Sequence, residues 1–220
     1  MRRAIAAIRR LPKLARDKSG AALLEFALTL PLLLTMGLTG AEITNYIITK
    51  MRISQIALHL ADNAARIGTG TQLQAKTITE ADINDLFVGA QLQSGELDLQ
   101  TNGRVFLSSV ELSTVNTANS RIRWQRCYGN KTTRTSTYGT VANRTNVTGI
   151  GPTGRQVAAS ASGIVMFVEV YYEYKPLIKT SLSPDSSMIE VASMMVRDRR
   201  DTTGGSNGVY PVTGVTASAC

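Results

Sequence analysis

The sequence predicts an α+β protein in which a long N-terminal helix, first transmembrane and then amphipathic, packs on a small antiparallel β-sheet. Residues 21–41 are mostly apolar with one ionisable side chain, an acid, and residues 42–67 continue with apolar residues at helical spacing. Beyond residue 100, apolar residues recur with the period of two that β-strands have. We therefore divide the chain into a basic leader (1–20), a transmembrane helix (21–41), a helical stalk (42–67) and an α+β head (68–220).

The positive charge of the chain is concentrated at its N-terminus. Residues 1–20 carry seven basic residues and one acid, or +6, which leaves +2 of the formal net charge of +8 for the remaining 200 residues. A basic segment before an apolar run predicts, by the positive-inside rule, that the N-terminus stays in the cytoplasm. We therefore expect contact with a membrane and no nucleic-acid partner.

Residues 21–41 are predicted to cross the membrane once. About 20 residues at about 1.5 Å per residue span a hydrocarbon core of about 30 Å. Pro31 removes one backbone hydrogen bond, which a membrane helix tolerates better than a soluble one. The only ionisable side chain in this run is Glu25. A carboxylate inside a bilayer is costly unless it is paired or protonated, so Glu25 indicates a function.

Three interpretations of this region compete. A secretory signal peptide cut near residues 38–41 would have a shorter apolar run without an acid. An uncleaved anchor gives Glu25 no role. We favour a cut between Gly20 and Ala21, because it frees an α-amine one helical turn before Glu25, where amine and carboxylate neutralise each other within a chain or between neighbouring chains. Glycine before the cut also lets a protease approach the backbone closely.

The stretch RRLPKLARDKSGAALLEFALTLPLLL, residues 9–34, resembles the N-terminus of the TadE-like family, the minor pilin-like proteins of tight-adherence (Flp-type) pilus systems. The likeness rests on Gly20, on Glu25 as the fifth residue after it, and on the aromatic Phe26 that follows. Two shorter segments, 123–127 and 168–177, also resemble that family. The resemblance leaves open whether the chain is the TadE-like member or its TadF-like relative.

That resemblance implies a pilin-like fold and a place in pilus assembly. It implies cleavage between Gly20 and Ala21 by a membrane-embedded prepilin peptidase, followed by assembly through Glu25 and Phe26. The expected partners are other pilin-like subunits and pilus platform proteins. The expected location is the bacterial inner membrane, with the N-terminus cytoplasmic and the head periplasmic, or a surface pilus into which the chain is incorporated.

Beyond the membrane, the helix is predicted to continue to about Arg66 and to end at Gly68 or Gly70. The polar side of this helix contains His59, the single histidine, which we place on the surface because no cluster of Cys, Asp and Glu accompanies it. The apolar residues that should pack on the head form one stripe: Tyr46, Ile53, Ile56, Ala57, Leu60, Ala64 and Ile67.

The head is predicted to open with a short helix at about 80–88. Thr79, with Asp82 three positions later, resembles a capping box, and we prefer this to a cation site formed by Glu80, Asp82 and Asp85. The helix would present Ile83, Leu86 and Phe87 to the core.

Four strands follow in the prediction, at about 106–112, 121–125, 166–174 and 188–196. Because no long helix separates them, we expect an antiparallel sheet with one face on the stalk. In that sheet we expect two arginines, Arg121 and Arg123, to pair across strands with two acids, Glu169 and Glu173.

The chain has two cysteines, Cys127 and Cys220. In this topology both lie on the oxidising side of the membrane, where an even pair favours one disulfide. Two free thiols, or Cys220 bonded to another subunit, remain alternatives.

Residues 128–162 form a stretch rich in Thr, Gly and Asn, with no acid. Such a long segment without predicted structure is either flexible and solvated or a docking loop for an acidic partner. The cations that would form a docking surface are Lys131, Arg134, Arg144 and Arg155.

No motif for catalysis, phosphate binding or metal binding is found in the sequence. We therefore expect no enzyme activity, no cofactor, no metal and no small-molecule substrate. A processed minor pilin-like subunit that acts in priming, at the tip or in the platform of the pilus is the leading hypothesis, and an uncleaved single-pass protein with a periplasmic binding head is the alternative.

Overall fold

The computed structural model describes residues 19–71, 73–160, 163–179 and 184–220. Most of the predicted leader therefore lies outside the described residues. The described part of the chain divides into two compact units. One contains the described residues up to 45 together with 177–179, and the other contains Tyr46–Pro176 and Pro184–Cys220.

Helix α1 comprises Ser19–Arg66, with Pro31 inside it, so the prediction that one helix continues to Arg66 is confirmed. In its second part most of the predicted stripe is buried, including Ile53, Ile56 and Leu60, whereas Tyr46 and Ile67 are partly buried. The last carbonyls of the helix are satisfied by a distant side chain. Arg200 donates from Nη2 to the carbonyl oxygen of Ala64 at 2.7 Å and to that of Ile67 at 3.2 Å. Burial lowers the pKa of Arg200 to about 10.

Helix α2, Glu80–Ser94, begins with the predicted capping box: Thr79 Oγ1 accepts from Asp82 N–H, and the Asp82 carboxylate accepts from Thr79 N–H. The helix is longer than predicted, and Gly95, whose φ is 52°, follows its last residue as the C-cap. Ile83 and Phe87 are buried as expected. A 3₁₀ turn, Gly95–Leu97, and the short helix α3, Leu99–Asn102, lead into the sheet.

The main sheet has four antiparallel strands: β2 (Gly103–Leu112), β3 (Ser120–Tyr128), β4 (Val165–Glu173) and β5 (Ser187–Met195). Their spatial order is β3-β2-β4-β5. Two short strands, β1 (Ile78–Thr79) and β6 (Val209–Tyr210), pair in parallel as a separate sheet. The predicted α+β class, with a long helix and a small antiparallel sheet, is confirmed.

The four-stranded sheet is covered on both faces. On one face, residues of α1 and α2 share a core with the sheet, formed for example by Leu60, Phe87 and Val168. On the other face, Val110, Ile122 and Phe167 form a second cluster with Ile150. The second cluster includes Val110 of β2, a strand whose first eight residues are all buried.

The predicted pairing of Arg121 and Arg123 with Glu169 and Glu173 is wrong. Strand β2 lies between β3, which carries the arginines, and β4, which carries the acids. Arg123 instead lies 4.0 Å from Glu111 on the neighbouring strand β2.

Candidate functional site

The first length of helix α1 is apolar all round. The helix is long and apolar enough to span a membrane, and none of its most apolar window is buried. An apolar surface of this size is not stable in water, and it requires lipid or neighbouring helices around it. The large exposed side chains of residues 21–41 are Leu23, Leu24, Phe26, Leu28, Leu30, Leu32, Leu33, Leu34, Met36 and Leu38.

The Glu25 carboxylate interrupts this apolar surface. Nearby hydroxyl groups are satisfied within the helix, since Thr29 Oγ1 donates to the carbonyl oxygen of Glu25 at 2.8 Å and Thr35 Oγ1 donates to that of Leu32 at 2.9 Å. Within the described ranges, no hydrogen bond or ion pair involves the Glu25 side chain. The Glu25 carboxylate therefore has no paired charge among the described residues of its own chain.

The predicted cleavage position, Gly20 and Ala21, lies in the helix with both residues exposed. A Cβ atom added at Gly20 would meet no atom within 4 Å. The space around Gly20 thus does not require glycine for the fold.

Glu42, just beyond the apolar run, is a second acid with a defined position. It is 4% exposed, and its Oε2 accepts from the backbone N–H groups of Leu177 at 2.8 Å and Ile178 at 3.2 Å. The carboxylate thereby fixes the loop at 177–178 to the helix within the same unit. The sequence analysis missed this residue, because its partners lie about 135 positions away and no local pattern indicates them.

Cys127 and Cys220 form a disulfide, so the predicted intramolecular pairing is confirmed. The segment next to Cys220 is also bonded to strand β3, which carries Cys127. The Cys127 N–H donates to the carbonyl oxygen of Ser218 at 2.8 Å. Ser218 Oγ in turn donates to Asn84 on α2 at 2.7 Å. The C-terminal segment therefore links β3 to α2.

Three of the four predicted docking cations already have contacts inside the chain. Lys131 forms an ion pair with Glu173, and its hydrogen bond holds the pKa of that carboxyl below the ordinary value. The guanidinium of Arg134 lies 4.1 Å from the centre of the Tyr171 ring. The Arg144 Nε donates to the carbonyl oxygen of Tyr138 at 2.9 Å. Arg155 is exposed.

A buried acid of the sheet organises the segment that holds these cations. Glu169 is 1% exposed and accepts from Ser136 Oγ at 2.6 Å and from Thr137 N–H at 2.9 Å. Two residues further along, Tyr138 packs edge-on against Phe167. The described part of the segment predicted as flexible or docking, 128–162, thus folds over one face of the sheet.

His59 is exposed and contacts Gln93. Among the described residues, no group of three or more His, Cys, Asp or Glu is arranged to hold a metal ion. No family model matches the chain, and no curated protein or solved structure matches it.

Proposed function

We propose that this chain is a processed, pilin-like structural subunit that joins the assembly of a tight-adherence type pilus through its N-terminal helix. The observation that carries the proposal is the apolar length of α1, exposed throughout its most apolar window and interrupted by one carboxylate without a partner in the described chain. The resemblance of residues 9–34 to the TadE-like family also supports a role as a pilin-like subunit.

The charge at Glu25 is the physical reason for assembly. In an apolar environment an unpaired carboxylate is costly, and an opposite charge within hydrogen-bonding distance offsets that cost. A cut after Gly20 creates such a charge, the α-amine of Ala21. In a bundle of subunits, the amine of one chain pairs with Glu25 of its neighbour, so that each subunit is stabilised by the next.

The topology of the proposal follows from charge and from the disulfide. The basic leader keeps the N-terminus in the cytoplasm until a prepilin peptidase removes it. The head then lies in the periplasm, where disulfides persist. In the periplasm, the head contacts other subunits or platform proteins of the inner membrane.

The cut is tested by N-terminal sequencing and intact mass of the protein extracted from membranes of its native host. The mature chain should begin at Ala21, and Gly20→Ala should keep its leader. Gly37→Ala is the matched control, because at both glycines an added Cβ meets no atom within 4 Å. A wild-type chain that still begins at Met1 would instead support the uncleaved anchor.

The charge pairing is tested with Glu25→Ala. This variant should enter the membrane at least as well as the wild type, yet fail to co-purify with the other pilus subunits. Thr35→Val is the control, since it removes a polar group that is already satisfied within the same helix. Normal pilus formation by Glu25→Ala would rule out the pairing.

A further inference from the structure

The two edges of the four-stranded sheet differ in how their backbone groups are used. At the β3 edge, Ile122 N–H donates to Arg144 O at 2.8 Å, and Ser120 and Val147 exchange two bonds at 2.7 and 2.9 Å. Cys127 N–H at the same edge is taken by Ser218, as described above. The chain therefore covers this edge with its own segments.

Strand β5 forms the opposite edge and has a neighbouring strand, β4, on one side. The bonds Tyr174 N–H to Ser186 O (2.6 Å) and Val196 N–H to Ile164 O (2.8 Å) extend the β4–β5 ladder at its two ends. In an antiparallel pair, alternate residues bond to the partner strand. The even-numbered residues of β5 therefore bond to β4, and the odd-numbered residues direct their N–H and C=O groups outward.

Within the described parts of the chain, these outward groups have no backbone partner over most of the strand. Ser187 N–H donates to Asp185 Oδ1 at 3.2 Å, which closes one end. For Ile189, Val191 and Ser193, no backbone bond on the outward side exists among the described residues. A row of unpaired donors and acceptors of this kind is a template for another strand.

The side chains along β5 do not protect this edge. The strand, SMIEVASMM, contains neither proline nor glycine. Its single charged residue, Glu190, lies 3.6 Å from Lys50 on α1. Apolar side chains are partly exposed on both faces, with Ile189 and Val191 on one face and Ala192 on the other. Charges and prolines on edge strands normally prevent pairing with another chain, and β5 lacks both on its outward-directed residues.

We propose that the β5 edge binds an extended segment of a partner protein by β-strand addition. The backbone ladder requires an extended partner, and the partly exposed apolar residues require apolar side chains at alternate positions of that partner. Lys50 already neutralises Glu190, so the middle of the partner segment has no need of a cation. This interaction does not depend on the cut at Gly20 or on the charge of Glu25. It would give the proposed pilus subunit a second contact with partner proteins, made by the head and separate from the contact made by the N-terminal helix.

The decisive variant is Val191→Pro. Proline at this odd-numbered position removes an outward N–H group and leaves the bonds to β4 in place, as on natural edge strands. Val191→Thr is the matched control, because it stays β-branched and retains the N–H group. Far-ultraviolet circular dichroism and the Cys127–Cys220 disulfide are checked in both variants.

The probe is a fluorescent nine-residue peptide of alternating valine and threonine with a lysine at each end, titrated into the full-length protein in detergent micelles. Wild type and Val191→Thr should bind it saturably, and Val191→Pro at least about tenfold more weakly, as expected for the loss of a bond and a steric clash. The same peptide with an N-methyl group at every residue should not bind, because neither of its edges can then donate a hydrogen bond to β5. The N-methylated peptide tests the proposal with the wild-type protein, so the test remains possible even if Val191→Pro fails to fold.

Hydrogen exchange locates the binding. The amides of Ile189, Val191 and Ser193 should exchange quickly in the free protein and slowly with the peptide bound. Three results would overturn the proposal: no saturable peptide binding, equal binding of the N-methylated peptide, or equal binding by Val191→Pro. Protection of these amides by rising protein concentration alone would assign the edge to a second copy of the chain instead.

Discussion

Helix α1 contains two lengths of similar size that differ in where their apolar side chains lie. In the first, residues 21–41, apolar side chains surround the helix and are exposed, as Leu28 is at 70%. In the second, they form one stripe and are buried in the head, as Leu60 is at 3%. Leucines and other apolar residues thus stabilise the head in the second length of the helix. In the first length, the same residue types require lipid or neighbouring helices around them.

The largest expected effect on the stability of the head, without an effect on the membrane behaviour of residues 21–41, comes from removing the disulfide. Replacing Cys127 and Cys220 by serine should lower the free energy of unfolding of the head by about 4 to 5 kcal/mol in the chain-entropy model. Urea unfolding is measured by the fluorescence of Trp124, the single tryptophan, which is buried in the head. Wild type under reducing conditions should give the same loss, whereas membrane extraction of the variant should not change. An unchanged midpoint would contradict this.

A matched pair of leucines tests the comparison directly. Leu60→Ala should lower the free energy of unfolding of the head by about 2 to 5 kcal/mol, because it opens a cavity in the core. Leu28→Ala makes the same chemical change at an exposed position, so the Trp124 transition should stay where it is. If both variants shifted the transition equally, the distinction between the two lengths would be wrong.

The capping box of α2 gives a smaller effect confined to the head. Thr79→Ala removes the acceptor for Asp82 N–H and should cost about 1 kcal/mol of stability. Thr117→Ala, in an exposed turn, is the control. The same urea titration measures both, and equal losses would mean that the cap contributes nothing specific.

The smallest effect concerns pH. Burial raises the pKa of Glu111, and its neighbours Arg123 and Arg121 only partly oppose this. The pKa of Glu111 is therefore higher in the folded protein than in the unfolded chain. The stability that the protonated carboxyl contributes is fully present below the pKa of the unfolded chain, and it is lost as pH rises through the pKa of the folded protein. Glu111→Gln should therefore gain a few tenths of a kcal/mol over wild type at pH 7 and nothing at pH 4. Exposed Glu96→Gln is the control, and a gain that does not change with pH would contradict the assignment.

Much of the fold follows from local patterns in the sequence. The end of α1 at Arg66, the Thr79 capping box and the approximate positions of β2 to β5 were predictable, because spacing and caps are set by residues a few positions apart. The disulfide was predictable because the chain has only two cysteines.

The relations that sequence did not predict all join distant residues. Strand order decides that β2 separates Arg123 from Glu169, and alternation along single strands contains no information on order. Glu169 was expected to pair with an arginine of a neighbouring strand, yet it is buried and accepts hydrogen bonds from Ser136 and Thr137. The role of Glu42 likewise depends on a loop about 135 residues away. The cut at Gly20 and the pairing of Glu25 stay predictions.

The cap that Arg200 provides for helix α1 has a consequence for the order of folding. Its two bonds join positions 136 and 133 residues apart, and such contacts form only after the entropy of closing a long loop has been lost. We therefore expect them to form after the rate-limiting step. Removing the guanidinium should then mainly speed unfolding and barely slow folding, so that Arg200 controls the lifetime of the folded head more than the rate at which it is reached.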